Sequence, residues 1–207
     1  MTLKLGVLIS GEGSNLQAVI DRIEAGSLDA TIELVVSSRP SANGLKRAAK
    51  AGIQTLALSP ELYTNPEVVD EVIANQLLQR HVDYVVMAGY MRKVGPAILA
   101  AFPNSVLNLH PALLPSFPGA HAIEDAYLSG VKVTGVTVHI ANAEYDQGPI
   151  IAQEPVRIEE GMSLGELEAA IHAVEHELYP DVLQLLAEDR VRMDELGVVH
   201  ILPAGDD

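Results

Sequence analysis

The chain contains no cysteine and no tryptophan in 207 residues. Without cysteine there are no disulfides, no thiolate metal sites and no cysteine nucleophiles, and any compartment remains open. No apolar run approaches the roughly 18 residues that cross a bilayer as a helix. The opening "MTLKLGVLIS" runs directly into a strand pattern without a signal-peptide cleavage site. A soluble, cytoplasmic protein is therefore expected. Positive charge is also scarce: 13 Lys and Arg face 28 Asp and Glu, for a net charge of −15. Such a surface repels polyanions at long range, so neither nucleic acid nor a membrane is an expected partner. A small anionic ligand is not excluded, because its affinity depends on a few local donors.

What the chain does have is 48% hydrophobic residues in an ordered alternation. Strand patterns are expected at Lys4–Ser10, Ile32–Ser37, Gln54–Leu58, Tyr84–Ala88, Val106–His110, Val133–Ile140 and Ile150–Ile158. Helical patterns fall near Asn15–Ala25, Ala42–Ala51 and Pro66–Arg80. Strands separated by helices imply βαβ units and a mostly parallel sheet, so the first half reads as Rossmann-like. From Val131 the order changes, with two long strands joined by a turn and not by a helix, which predicts an antiparallel hairpin. A long helix follows, opened by a capping box at Ser163–Glu166, with Leu164, Leu167, Ile171, Val174, Leu178 and Leu185 on its apolar face. The final stretch predicts a short hairpin. With no repeat, low-complexity segment or linker, the expectation is one α/β domain over residues 1–207.

Three stretches carry candidate chemistry. In "VLNLHPALLPSFPG", Asn108 and His110 stand two apart in a strand and therefore share a face. Pro111 holds the histidine extended, at the carboxyl end of a strand, where open α/β sheets bind ligands. Each residue alone reads as a satisfied core group; the pair points to a site. "SGEGSNLQA" places Gly11 and Gly13 between the first strand and first helix, where exposed N–H groups bind phosphate. A dinucleotide fingerprint needs a third glycine where Leu16 stands and an acid after the second strand, where "VVSSRP" has none, which excludes a nicotinamide cofactor. Gly13, Ser14 and Asn15 instead suit a phosphomonoester, or form a plain tight turn. "YDQGPII" puts Asp146 in the hairpin turn, where it acts either locally or as a carboxylate partner that raises the pKa of His110.

A different class is offered by "HAVEH", in which His172, Glu175 and His176 match a His-x-x-Glu-His zinc-protease pattern. No third ligand accompanies it, and an ordinary helical His and Glu pair explains it equally well. No metal is expected.

Taken together, "SGEGSNLQA", "AGYMRKV", "VLNLHPALLPSFPGAHA", "VTGVTVHIANAEYDQGPIIAQ" and "EHELYP" resemble the glycinamide ribonucleotide transformylases of purine biosynthesis, in family order over nearly the whole chain. The resemblance implies the formyltransferase fold: a Rossmann-like, mostly parallel twisted sheet with helices on both faces and an antiparallel C-terminal hairpin. Residues 1–103 would form a phosphate-binding half and residues 104–207 a catalytic and folate-binding half. The wider superfamily includes transfer-RNA formyltransferases, which add a C-terminal RNA-binding domain, and formyltetrahydrofolate deformylases, which add an N-terminal regulatory one. Neither addition is expected in an acidic chain of this length whose first strand begins at residue 3.

The resemblance also assigns roles. The substrate phosphate would rest on Gly13, Ser14 and Asn15, and the amino group would attack the formyl carbon of 10-formyltetrahydrofolate. Asn108 and a protonated His110 would donate to the oxyanion, His110 would pass the proton on, and Asp146 would hold the histidine pKa above its ordinary value. Glu175 would face the substrate amine. Met91, Arg92, Lys93 and Val94 would take the folate with their backbone, together with Asn108 and His139. Pro66 stands where family members often carry an arginine for the folate tail, and Gln147 is a milder variation. The partners implied are these two small molecules, with a homodimer compatible with the resemblance. A folate- or phosphosugar-binding protein without turnover is the third class, and the trio Asn108, His110 and Asp146 argues against it.

Overall fold

The structure, a computed structural model, describes residues 2–205. The fold is α/β. Its main strands follow the order β3-β2-β1-β4-β5-β6-β7, where β1 is Leu3–Ile9, β2 Ala30–Ser37, β3 Thr55–Ala57, β4 Tyr84–Met87, β5 Val106–His110, β6 Val133–Ile140 and β7 Ile150–Arg157. The chain divides into two compact units, with the division after Asn108.

In the first unit β1 pairs in parallel with β2 and β4, β2 with β3, and β4 with β5. Leu5, Val7, Leu8 and Ile9 of β1 are all buried, on both faces of the pleat, as a strand covered on both sides requires. The helices between the strands are α1 (Ser14–Glu24), α2 (Asn43–Lys50), α3 (Pro66–Leu78) and α4 (Pro96–Ala101). Gly6 gives α3 its approach to the sheet, since a Cβ there would lie 2.4 Å from Leu77 Cδ2.

In the second unit β6 and β7 pair antiparallel, and α5 (Ala122–Leu128) and α6 (Leu164–Ala187) accompany them. Val136, Val156, Leu167 and Ile171 form its buried core, with Ile123, Tyr127, Val174 and Leu178 packed around it. The 24-residue α6 opens on the expected capping box: Ser163 Oγ accepts Glu166 N–H, and the Glu166 carboxylate accepts Ser163 N–H at 2.8 Å. β8 (Val191–Met193) and β9 (Val199–Ile201) form the predicted terminal hairpin.

The two strands that matter most for the site, β5 and β6, have the expected bounds, and the other main strands differ by one or two residues. The additional elements are short: a 3₁₀ turn at Pro60–Thr64, and α4 and α5. Six and seven residues are too few for a hydrophobic period to repeat, so neither helix leaves a periodic signal.

Candidate functional site

Strand β5 carries Asn108, half-buried, and His110, which is 3% exposed. After it the chain turns through residues 111–119, and this loop closes on the histidine. Nε2 of His110 lies 2.8 Å from the Phe117 carbonyl oxygen. A carbonyl only accepts, so that nitrogen carries a proton. The other ring nitrogen, Nδ1, lies 3.5 Å from Asp146 Oδ2. The loop is tied to the hairpin by Thr137, whose hydroxyl donates to Ala112 O at 2.6 Å and accepts Leu114 N–H at 3.1 Å and the Gln153 amide at 2.9 Å. One donor and two acceptor positions are thereby all used.

Asp146 lies in the loop between β6 and β7. A bulge at Val138/His139 shifts the register there, and Gly148 crosses so close to β6 that a Cβ would overlap the Ile140 carbonyl oxygen at 1.7 Å. Asp146 itself has φ of 54°, the left-handed region that Asp tolerates better than most residues. Its Oδ2 accepts Gly119 N–H at 2.9 Å, and its Oδ1 lies 3.8 Å from His139 Nε2. Burial pushes the Asp146 carboxyl up; the bonds from His139 and Gly119 and the two nearby imidazoles outweigh it and hold the group below its usual range. Asp146 is thus an anion in the folded protein at neutral pH.

For His110 the balance is the reverse of the sequence expectation. Burial is the largest influence and lowers its pKa; the Phe117 carbonyl, Asp146 and Glu175 raise it, His139 lowers it, and the net displacement is below 6.5. His110 therefore rests neutral at neutral pH, not protonated. Asp146 does favour the imidazolium, but it does not overcome the desolvation of a ring this deeply buried.

Glu175 of α6 is buried, and its Oε2 lies 2.8 Å from His172 Nδ1, a contact that raises the His172 pKa. His172 and His176 stack with ring centroids 6.5 Å apart. The glutamate is thereby paired with a histidine. Among the described residues no group of three or more His, Cys, Asp or Glu is placed to hold a metal ion. His139 is buried on β6 beside Asp146, with Nδ1 3.2 Å from the Ile140 carbonyl.

In the first unit, Gly13 caps α1 with φ of 70°, and Ser14 and Asn15 open the helix. The loop is braced by α2: Gly44 N–H donates to Gly11 O at 3.1 Å, Arg47 Nε to Glu12 O at 2.8 Å, and Asn43 to the Glu12 carboxylate at 2.8 Å. A Cβ on Gly13 would lie 2.6 Å from Gly44 Cα, so glycine is required here by both conformation and space. The N–H groups of the first helical turn are a ready-made anion site.

Met91, Arg92, Lys93 and Val94 lie on the irregular segment between β4 and α4. Met91 N–H donates to Ser10 Oγ at 2.8 Å, and Gly95 N–H to Asp70 at 2.8 Å. Arg92 lies over the Tyr63 ring, 4.4 Å from its centroid, and the Tyr63 and Tyr90 hydroxyls are 3.3 Å apart. Burial raises the Tyr90 pKa far beyond its ordinary range, which keeps its hydroxyl protonated. These residues, with Pro66, Val69, Asp70, Ile73 and Lys93, line a cavity of about 210 Å³. Ser10, Phe117 and Gly119 lie in the stretches singled out in the sequence but without a role of their own there, and Asp70 lies outside them, because each acts through a long-range or main-chain contact.

The profile of the family described as formyl transferase matches residues 3–183. The chain belongs to that family. It is 39% identical over 183 residues to the phosphoribosylglycinamide formyltransferase of Bacillus subtilis strain 168, covering 88% of this chain and 94% of that protein. The corresponding Escherichia coli K12 enzyme is 37% identical over 193 residues, 93% and 91% of the two chains. The crystal structure of glycinamide ribonucleotide transformylase 1 from Symbiobacterium toebii superposes with a TM-score of 0.94 at 43% identity, over 98% of this chain and 95% of that one. The formyl transferase fold expected from the motifs is the fold observed.

Proposed function

We propose that the protein transfers the formyl group of 10-formyltetrahydrofolate to the amino group of 5'-phosphoribosylglycinamide, the formylation step of de novo purine synthesis. The observation that carries this reading is kinship over most of the chain with phosphoribosylglycinamide formyltransferases, in a chain that carries Asn108, His110 and Asp146.

Gly13, Ser14 and Asn15 hold the substrate phosphate through main-chain and side-chain donors at the start of α1. Glu175, kept in place by His172, faces the amine. Met91 to Val94 present main-chain groups to the folate ring. Arg92 and Lys93 line the cavity beside Pro66 and supply the positive charge that an arginine there would have given. His139 acts on the donor side through its contact with Asp146.

The reaction forms a C–N bond between the amine and the formyl carbon and breaks the bond from that carbon to N10. Asn108 and the His110 N–H donate to the oxygen as it gains negative charge, stabilisation worth about 3–4 kcal/mol per donor. Neutral His110 takes the proton lost by the attacking amine and returns it to the departing nitrogen, and Asp146 holds the imidazolium formed in between. A group that must take and give a proton in one cycle works best with a pKa near the working pH. A resting pKa somewhat below 6.5 with an anion alongside meets that need.

A formyl-transfer assay with both substrates, in buffer with and without chelator, tests the proposal. Equal turnover in both buffers is expected. Folate hydrolysis without an acylated amine would instead identify a deformylase, and binding without turnover a carrier.

A further inference from the structure

Residues 88–95 have no regular secondary structure, yet buried side chains grip the segment at two points. At one, Met91 N–H donates to Ser10 Oγ at 2.8 Å. Ser10 is 2% exposed, and its oxygen lies 2.6 Å from that of Ser38, which is buried to the same degree. A hydroxyl has one hydrogen and two lone pairs, so whichever serine donates within the pair, Ser10 keeps a lone pair for Met91 and Ser38 fixes its direction. At the other point Asp70 reaches over from α3. Its Oδ1 accepts Gly95 N–H at 2.8 Å, and its Oδ2 accepts Ala97 N–H at 2.7 Å and Ile98 N–H at 3.1 Å. Contact is close enough that a Cβ on Gly95 would lie 2.6 Å from the Asp70 carboxyl carbon. Between the two anchors lie Arg92, Lys93 and Val94.

We propose that Ser10, backed by Ser38, and Asp70 are positioning residues for the donor site: they pin Met91 and Gly95 by their amides, so that the main chain between them is already set to meet the edge of a pterin. This rests on the reading of residues 91–94 as the folate segment. A pre-ordered segment loses less freedom on binding, so loosening either anchor weakens donor binding selectively. Ser10 borders the glycine loop and Asp70 does not, which makes the two variants independent.

The test is steady-state kinetics of Ser10→Ala and Asp70→Asn with each substrate varied, beside amide hydrogen exchange on the wild-type protein. Each variant should raise the KM for 10-formyltetrahydrofolate about tenfold, the effect of leaving a part-buried amide unsatisfied. The KM for phosphoribosylglycinamide should stay unchanged. A merely structural role would lower the active fraction and leave both KM values alone; equal rises in both, or none in Asp70→Asn, would overturn the proposal. In the wild type, Met91 and Gly95 amides should exchange slowly before folate is added, and Arg92, Lys93 and Val94 should become slow on saturation with it. Rapid exchange at Met91 and Gly95 in the free protein overturns the proposal even if a variant does not fold. Protection of Arg92 to Val94 by folate in a protein that formylates nothing would sink the proposed function and leave the anchors standing.

Discussion

His110 is a residue on which several small influences oppose one large one. Burial alone would make it a poor base, and the Phe117 carbonyl, Asp146 and Glu175 bring it back towards neutrality without carrying it past 6.5. Asp146→Asn keeps the shape of the side chain and removes its charge, so the His110 pKa should fall further below 6.5. NMR titration of the ring in the two proteins reads this directly, and an unchanged titration would reduce Asp146 to a turn residue. The acid limb of kcat/KM should move to lower pH in the same variant. Asn108→Ala and His110→Ala should each lower kcat at least about 100-fold with folding intact. Because the histidine passes on what the aspartate stabilises, His110→Ala combined with Asp146→Asn should be little worse than His110→Ala alone. The same shift has a stability consequence. The folded pKa of His110 is lower than its unfolded one, so its contribution is complete above the unfolded value of about 6.5 and is lost as pH falls below that and through the lower folded pKa.

Elements differ in how plainly the sequence announces them. Strand β5 was legible because Asn and His at i and i+2 stand out in an apolar run, and α6 because Ser163 and Glu166 spell a capping box. Removing that cap in Ser163→Ala should cost about 1 kcal/mol, lowering Tm by about 2–4 °C for a chain of this size, with little change in KM. A raised KM for phosphoribosylglycinamide in that variant would mean that α6 frays as far as Glu175. The glycine loop was legible as a turn but not in its bracing. Gly13 is held against Gly44 of α2, a contact between residues 31 positions apart that no local pattern reveals. Gly13→Ala should therefore both destabilise the fold by about 1–3 kcal/mol, through strain at positive φ, and raise the KM for phosphoribosylglycinamide far more than that for folate. Equal effects on both KM values would make the loop structural only. The sign of the His110 shift was not legible for the same reason: its depth of burial and the approach of Phe117 are products of the folded loop, whereas the sequence displays only the nearby charge of Asp146.

At the scale of the whole molecule, composition bounded the partners and kinship supplied the reaction. No helix among the described residues is long and apolar enough to cross a membrane, and an excess of 15 negative charges disfavours a nucleic-acid partner. In α6, His172 pairs with Glu175, which gives the helix a place in the proposed acceptor site. As a formyl transferase, the chain is expected to use phosphoribosylglycinamide as its defined acceptor. The most direct measurement supplies purified protein with 10-formyltetrahydrofolate and phosphoribosylglycinamide and follows both products. Equal amounts of tetrahydrofolate and formylated phosphoribosylglycinamide are expected, with formation of both at least about 100-fold slower in His110→Ala. Release of formate without formylated product, or turnover undiminished by the loss of His110, would contradict this reading.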